Sequence, residues 1–420
     1  MSVTPEARLE EQPTTEHVQR RTLGTLSVAQ VLGGVAVAGT IPAGALIAAS
    51  LGGEGVAGLA QTFGVLGAAI LALPLARLAL VRGRRAALAT GYAIGLAGAF
   101  VVILGGMTRS LTFVLIGCLL VGVASAAGYQ ARYAAMDLAL ESNRARAISI
   151  VVWAGTIGAV LGPNLLQFSG DIALTIGLPQ LTGPYLVACL MLGLSVLVLL
   201  MFLRPDPYLL ARALADAASA TPAPRPQLRD GLALLRTRGR SVLGVASVAL
   251  GHVVMVMVMV MTPVHMSHVD VSLRLIGLAI SVHVLGMFAL SPVVGWLVDR
   301  IGRIPMILVG CAVLFVACVI CGLAPADSVP VLTVGLFLLG LGWSCTLIAG
   351  STLLTDDIDY ADRPSVQGLS DLFMNLAGAL GGAVAGLIVY TSSYPMLCAA
   401  AAVPVVALTL VAASPKLRSS

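Results

Sequence analysis

The chain reads as an all-α membrane protein whose twelve transmembrane helices form two pseudo-symmetric bundles of six. Three observations carry that reading. Of 420 residues, 58% are hydrophobic and only 10% are charged, where a soluble domain has about 25% charged. With a mean hydropathy of +1.00, such a chain needs lipid as its solvent. The apolar residues are also gathered into twelve runs of roughly 20, the length at which a helix crosses a bilayer. Finally, one long polar stretch, residues 204–240, leaves six runs on either side.

Taken in order, residues 1–22 are polar and of mixed charge. They form an N-terminal tail, expected to be poorly ordered up to about residue 20, and the long apolar run behind them is no signal-peptide core. The first bundle, 23–203, holds spans at 25–50, 56–80, 86–106, 112–136, 147–168 and 181–203. The linker 204–240 contains a TPAPRP break. Its flanks, 207–217 and 227–236, are candidates for short amphipathic helices on the membrane surface, with a plain tether as the simpler reading. The second bundle, 241–413, holds spans at 242–265, 273–298, 304–324, 330–354, 366–391 and 395–413, before a tail at 414–420.

Charge sets the orientation. With both ends on one side, twenty Lys and Arg fall on one face and only Arg109 and Arg274 on the other. By the positive-inside rule both termini are cytoplasmic. The net charge of +5 therefore reports topology and does not point to nucleic acid. All seven cysteines lie within predicted spans, which suits packing better than an extracellular disulfide framework.

The halves echo each other. ARLALVRGRR (76–85) follows the second span and GWLVDRIGR (295–303) follows the eighth. Gly83-Arg84 and Gly302-Arg303 thus stand about half the chain apart, an internal repeat of the kind transporters carry. The stretch Gly295-x-Leu297-x-Asp299-Arg300-x-Gly302-Arg303 resembles in full the cytoplasmic loop signature of the major facilitator superfamily. Its physical reading is a gate latch: Asp299 meets a helix N-terminus or an arginine, and Gly302 allows a tight turn. The first-half copy keeps Gly83, Arg84 and Arg85 but has Leu80 where the acid belongs, so its latch is expected to be weaker or differently paired. In span 5, Gly155 precedes Gly158-xxx-Gly162-Pro163, which resembles the superfamily's antiporter-type motif. The glycines let helices approach and the proline bends the span. The resemblance covers the whole chain and implies rocking of two halves about a midplane site.

The most distinctive stretch is span 7, GHVVMVMVMVMTPVHMSH from Gly251 to His268. Four of the five histidines and six of the fourteen methionines lie between His252 and Met287. Thioether and imidazole are ligands for Cu(I) and related soft metals. Residues four apart share a helix face, so Met255/Met259, behind His252, form one stripe. Met257/Met261, followed by His265, form a nearly opposite one. His283 and Met287 repeat the spacing on span 8. This combination resembles the CcoA-type copper importers, bacterial major facilitator proteins that supply copper for cbb3-type oxidase assembly. The resemblance implies Met255, Met259, His283 and Met287 as metal ligands; of the two methionine registers, the family's spacing to the His-xxx-Met pair selects Met255/Met259. Relatives without these ligands resemble riboflavin transporters. Three readings of the stretch stay open: metal ligation, a proton or organic-substrate role for the histidines, and packing by adaptable methionines. His265 and His268, at the outer end of span 7, are either a metal-entry funnel or part of a solvated loop.

Other polar positions complete the candidate cavity. Asp371, with Asn375 one turn on, is either a proton carrier or a gate or cap residue. Arg132, at the inner end of span 4, binds an anionic substrate or pairs with Asp137. Gln30, Thr40, Gln61 and Asn164 either line the cavity or bond between helices. Standard proton/drug antiporters of the superfamily carry an arginine earlier in span 4, where Cys118 stands here, and span 1 has no acid. Nothing suggests an enzyme: there is no phosphate-binding loop and no nucleophile–base set. The expectation is a monomeric transporter in a bacterial cytoplasmic membrane, with no tightly bound cofactor and no nucleic-acid partner. Copper is the first substrate, and a proton-coupled small organic molecule, a riboflavin-like nutrient or an exported drug, is the alternative. A non-transporting sensor on the same fold is the third reading.

Overall fold

A computed structural model describes residues 5–52, 56–218, 232–235, 238–267, 273–356, 358–360 and 362–414. Lipid offers no partner to backbone N–H and C=O groups, so an apolar chain must satisfy them within helices. Among the described residues the long elements are all α-helical. They are α1 (Pro5–Gly52), α2 (Ala57–Met107), α3 (Leu111–Ala134), α4 (Arg144–Asn164), α5 (Leu166–Thr175), α6 (Gly183–Phe202) and α7 (Pro207–Ala218). After the linker come α8 (Gly239–Ser267), α9 (Leu273–Phe288), α10 (Ser291–Ile301), α11 (Arg303–Leu323), α12 (Val329–Asp356), α13 (Arg363–Thr391) and α14 (Tyr394–Ala412).

Eleven stretches among the described residues are long and apolar enough to cross a membrane. One of them, Leu59–Met107, is 49 residues long, about twice the length of a single span. It bends at Gly83, whose φ of 86° and ψ of 173° are not helical. Counted as two, it brings the spans to twelve.

Three boundaries differ from the sequence expectation. The helix α1 begins at Pro5, so the tail is largely helical; Glu16 and Arg20, one turn apart, are paired across 2.6 Å. Span 8 is broken into α9 and α10, where Pro292 opens the second piece near its first turn, the place where proline's missing N–H costs least. Span 5 likewise stops at Asn164, one residue past Pro163, and restarts as α5.

The chain divides into two compact units, residues 1–230 with 359–368, and residues 231–358 with 369–420. In the first, α4 lies flush on α1. A Cβ on Gly158 would come within 2.7 Å of Gly34 Cα, and one on Gly162 within 2.7 Å of Val35 O. Both glycines therefore permit backbone contact that a methyl group would prevent. The linker's first flank is more than a tether: α7 forms, and Tyr208 on it is wholly buried. The TPAPRP break and Arg225, Arg229 and Arg236 lie outside the described residues.

Candidate functional site

In the second unit, His283 on α9 is fully buried. Its Nδ1 lies 2.7 Å from the Leu336 carbonyl on α12. A carbonyl only accepts, so Nδ1 carries the proton and Nε2 presents a lone pair. That Nε2 is buried and has no hydrogen-bond partner among the described residues. The helix is held close at this level: a Cβ on Gly340 would lie 2.8 Å from Met287 N. Met287, one turn beyond His283, is half-buried.

On α8, Met255 and Met257 are buried and Met259 and Met261 half-buried. Met257 packs toward α13, where a Cβ on Gly381 would stand 3.3 Å from its Cγ. His252 has the opposite tautomer from His283. Trp343 on α12 donates its indole N–H to His252 Nδ1 at 3.1 Å, so the imidazole hydrogen sits on Nε2. The edge of Phe288, next to Met287, meets the same indole at 5.8 Å and 90°. Trp343 thus joins the α8 histidine to the neighbourhood of the α9 pair. Nothing in the sequence marks it for that role, because its partners come from two other helices.

Toward the other end of α8, His265 is half-buried and stacked on Tyr394 of α14, with ring centroids 4.2 Å apart and planes 12° apart. The Tyr394 hydroxyl meets that of Thr262 at 2.7 Å. His268 lies outside the described residues. Asp371 on α13 is fully buried, and the Asn375 amide donates to its backbone carbonyl at 2.7 Å. Among the described residues no group of three or more His, Cys, Asp or Glu is placed to hold a metal. A soft-metal site here would have to rest on one imidazole and thioethers.

The loop glycines carry the same turn in both units, with φ of 86° at Gly83 and 97° at Gly302. Each is followed by an arginine that pairs with a distant acid. Arg84 holds Asp137 through Nε at 2.8 Å and Nη2 at 3.2 Å, and Arg303 Nε lies 3.1 Å from Asp356 Oδ2. The separation is 53 residues in the first pair and the same in the second. Seven residues past each acid, Arg144 and Arg363 are both buried. The guanidinium of Arg363 lies 3.8 Å over the Tyr360 ring. Gln367, in the same unit as Arg84, accepts a further hydrogen bond from it.

This pairing corrects the partner expected for Asp137. Its carboxylate is taken by Arg84, while Arg132 donates to the Tyr133 hydroxyl at 2.9 Å and lies 4.7 Å over that ring. Asp137 falls beyond the end of α3 at Ala134, off the helix that carries Arg132. In the second unit Asp299 and Arg300 occupy the last turn of α10 beside Gly302. Asp299 is half-buried, and Arg300 lies 5.0 Å over Trp296, on the same helix as Gly295. Of the remaining polar positions, Thr40 bonds back to Val37 O and Asn164 to Val160 O, and Gln61 is exposed.

The family model of the Major Facilitator Superfamily matches residues 26–269 and 244–418. An uncharacterized MFS-type transporter of Bacillus subtilis, YdeG, is 41% identical over 376 residues, covering 89% of this chain and 87% of the relative. The riboflavin transporter RfnT of Brucella anthropi is 29% identical over 393 residues, covering 93% and 94%. Among solved structures, the human organic anion transporter MFSD10 superposes with a TM-score of 0.70 at 17% identity, over 94% of this chain and 99% of the other. A bacterial homologue of the iron transporter ferroportin, in an outward-facing state, does so with 0.68 at 16%, over 96% and 100%. With its twelve spans, its repeated arginine loops and a family match across both halves, the chain belongs to the major facilitator superfamily of secondary transporters.

Proposed function

We propose that this transporter imports copper through soft ligands in its second unit. The observation that carries the reading is His283. A buried imidazole with Nδ1–H anchored on a backbone carbonyl and Nε2 unpartnered among the described residues is in the protonation state of a metal ligand, with its supporting hydrogen bond already made. Met287 follows one turn later, and Met255 and Met259 supply thioethers from α8. Thioether sulfur and neutral imidazole select Cu(I) by softness and not by charge. A ligand set without thiolate or carboxylate binds weakly enough to release its ion, which transport requires. His252, whose Nδ1 lone pair is occupied by Trp343, is a supporting residue in this scheme. The charge asymmetry of the loops supports a cytoplasmic membrane with both termini inside. Alternating access gives the cycle, with Asp371 as the candidate proton carrier.

Radioactive copper uptake tests this in cells expressing wild type, His283→Ala/Met287→Ala, Met255→Ala/Met259→Ala and Met257→Ala/Met261→Ala. Uptake should fall to the level of cells without the protein in the first two variants and persist in the third. Equal uptake in the wild type and in empty cells would discard copper.

A second reading, a small organic substrate, draws on the cluster of His252, Trp343 and Phe288. It offers flat apolar faces with a few polar atoms, the usual lining of an organic pocket, and one relative is named a riboflavin transporter. Labelled riboflavin uptake that depends on Trp343 would favour it over copper.

A further inference from the structure

The first-half loop lacks the acid that its counterpart carries: Leu80 stands where the second-half repeat has Asp299, and it is buried. A carboxylate reaches this loop from elsewhere. Asp206, at the start of the linker, accepts the backbone N–H of Arg85 through Oδ2 at 2.8 Å. Its other oxygen accepts from the N–H groups of Tyr208 at 3.1 Å and Leu209 at 3.2 Å. Asp206 is therefore the N-cap of α7, with Pro207 at the first helical position, and two of the helix's orphan donors are satisfied by it. The same carboxylate fills the space over Gly83, where a Cβ would overlap it. Two residues on from Asp206, the ring of Tyr208 lies 5.6 Å from the Arg84 guanidinium, the group that holds Asp137.

We propose that Asp206 is a positioning residue of the transport cycle, supplying from the linker the loop carboxylate that Leu80 does not. Two events then become one. Seating the linker helix fixes the Gly83–Arg85 turn, and the turn aims Arg84 at Asp137. Release of α7 frees the turn and weakens the pair. The second unit keeps its acid inside the loop at Asp299, so only the first-half loop answers to the linker. Asp206 need not touch substrate in this scheme, whatever the transported molecule is.

The test uses purified full-length protein in lipid nanodiscs: wild type, Asp206→Ala, Asp206→Asn and Asp206→Ala/Leu80→Asp. Spin labels at Val81 and Ile301, exposed residues flanking the two loops, report the distribution of loop separations. Tryptic cleavage after Arg212 reports release of α7. Asp206→Ala should shift the ratio of the two populations by at least about fivefold, the lower end of a real coupling, and speed cleavage. Asp206→Asn, which keeps one acceptor oxygen, should fall between. Restoring an acid at position 80 should recover the distance distribution but not the protection of Arg212, since the N–H groups of Tyr208 and Leu209 at the start of the linker helix are capped by Asp206. Unchanged distances in Asp206→Ala would overturn the proposal, as would failure of Leu80→Asp to restore them. Should Asp206→Ala not fold, an Asp206→Asn protein with wild-type distances and cleavage would overturn it equally.

Discussion

A buried arginine and carboxylate show how much one residue can decide. The Arg84 and Asp137 side chains are 1% and 0% exposed. Neither charge could stay in that setting alone, because the cost of removing it from water is met only by its partner. Arg84→Ala should therefore lower stability by roughly 3–5 kcal/mol, and Arg84→Ala/Asp137→Ala should recover part of the loss. Thermal unfolding in detergent reads both, and simple additivity of the two single changes would show that the pair is not coupled. Gly302, with φ of 97° and ψ of 162°, lies in a region essentially reserved for glycine, where an L side chain costs about 1–3 kcal/mol. Gly302→Ala should carry that strain even though the nearest atom, Pro305 Cδ, is 3.6 Å from where its methyl group would lie. The two histidines are equivalent as sequence; their separation into one occupied and one open imidazole depends on Trp343 and Leu336, which lie 91 and 53 residues away. No local pattern names those partners.

At the scale of elements, the spans are legible because lipid forces apolar runs into helices. Their breaks are read differently. Pro163 foretells an interruption near the end of α4, and Pro292 marks the one between α9 and α10 in the same way, although hydropathy shows no contrast there. Helix contacts turn on glycines whose importance depends on the neighbour. Gly162 faces the backbone of α1, with Gly39 N 2.7 Å from its would-be Cβ, while Gly193 on α6 has nothing within 4 Å among the described residues. Gly162→Ala should lower the unfolding midpoint, by an overpacking cost of about 1–3 kcal/mol. Gly193→Ala should leave it unchanged or raise it, because alanine restricts the unfolded chain by up to about 1 kcal/mol. A comparable loss in both variants would mean that the α1–α4 contact is looser than the geometry requires.

Over the whole molecule, the repeat is the deepest regularity. It is visible in the sequence as two Gly-Arg loops, at Gly83-Arg84 and Gly302-Arg303. Its second member, an acid at the same remove from each arginine, is equally present in the letters at Asp137 and Asp356. Sequence proximity hides it, because an acid is first matched with a nearer arginine, as Asp137 is with Arg132. The departures from symmetry include Leu80 against Asp299, and Gly64 against His283. Orientation belongs to this scale as well. Reporter domains fused to the N-terminus and to the C-terminus should both be active only in the cytoplasm, as the loop charges require. An active periplasmic reporter at either end would reverse that assignment.

The indole held between His252 and Phe288 has an optical consequence. The chain has three tryptophans, and Trp153 and Trp296 are exposed while Trp343 is buried at 2%. Replacing the two exposed ones with phenylalanine would leave a single emitter, blue-shifted by its apolar surroundings and sensitive to the imidazole that accepts its N–H. Its intensity would then report, in real time and without any attached dye, any rearrangement of the His252 and Phe288 side chains around it.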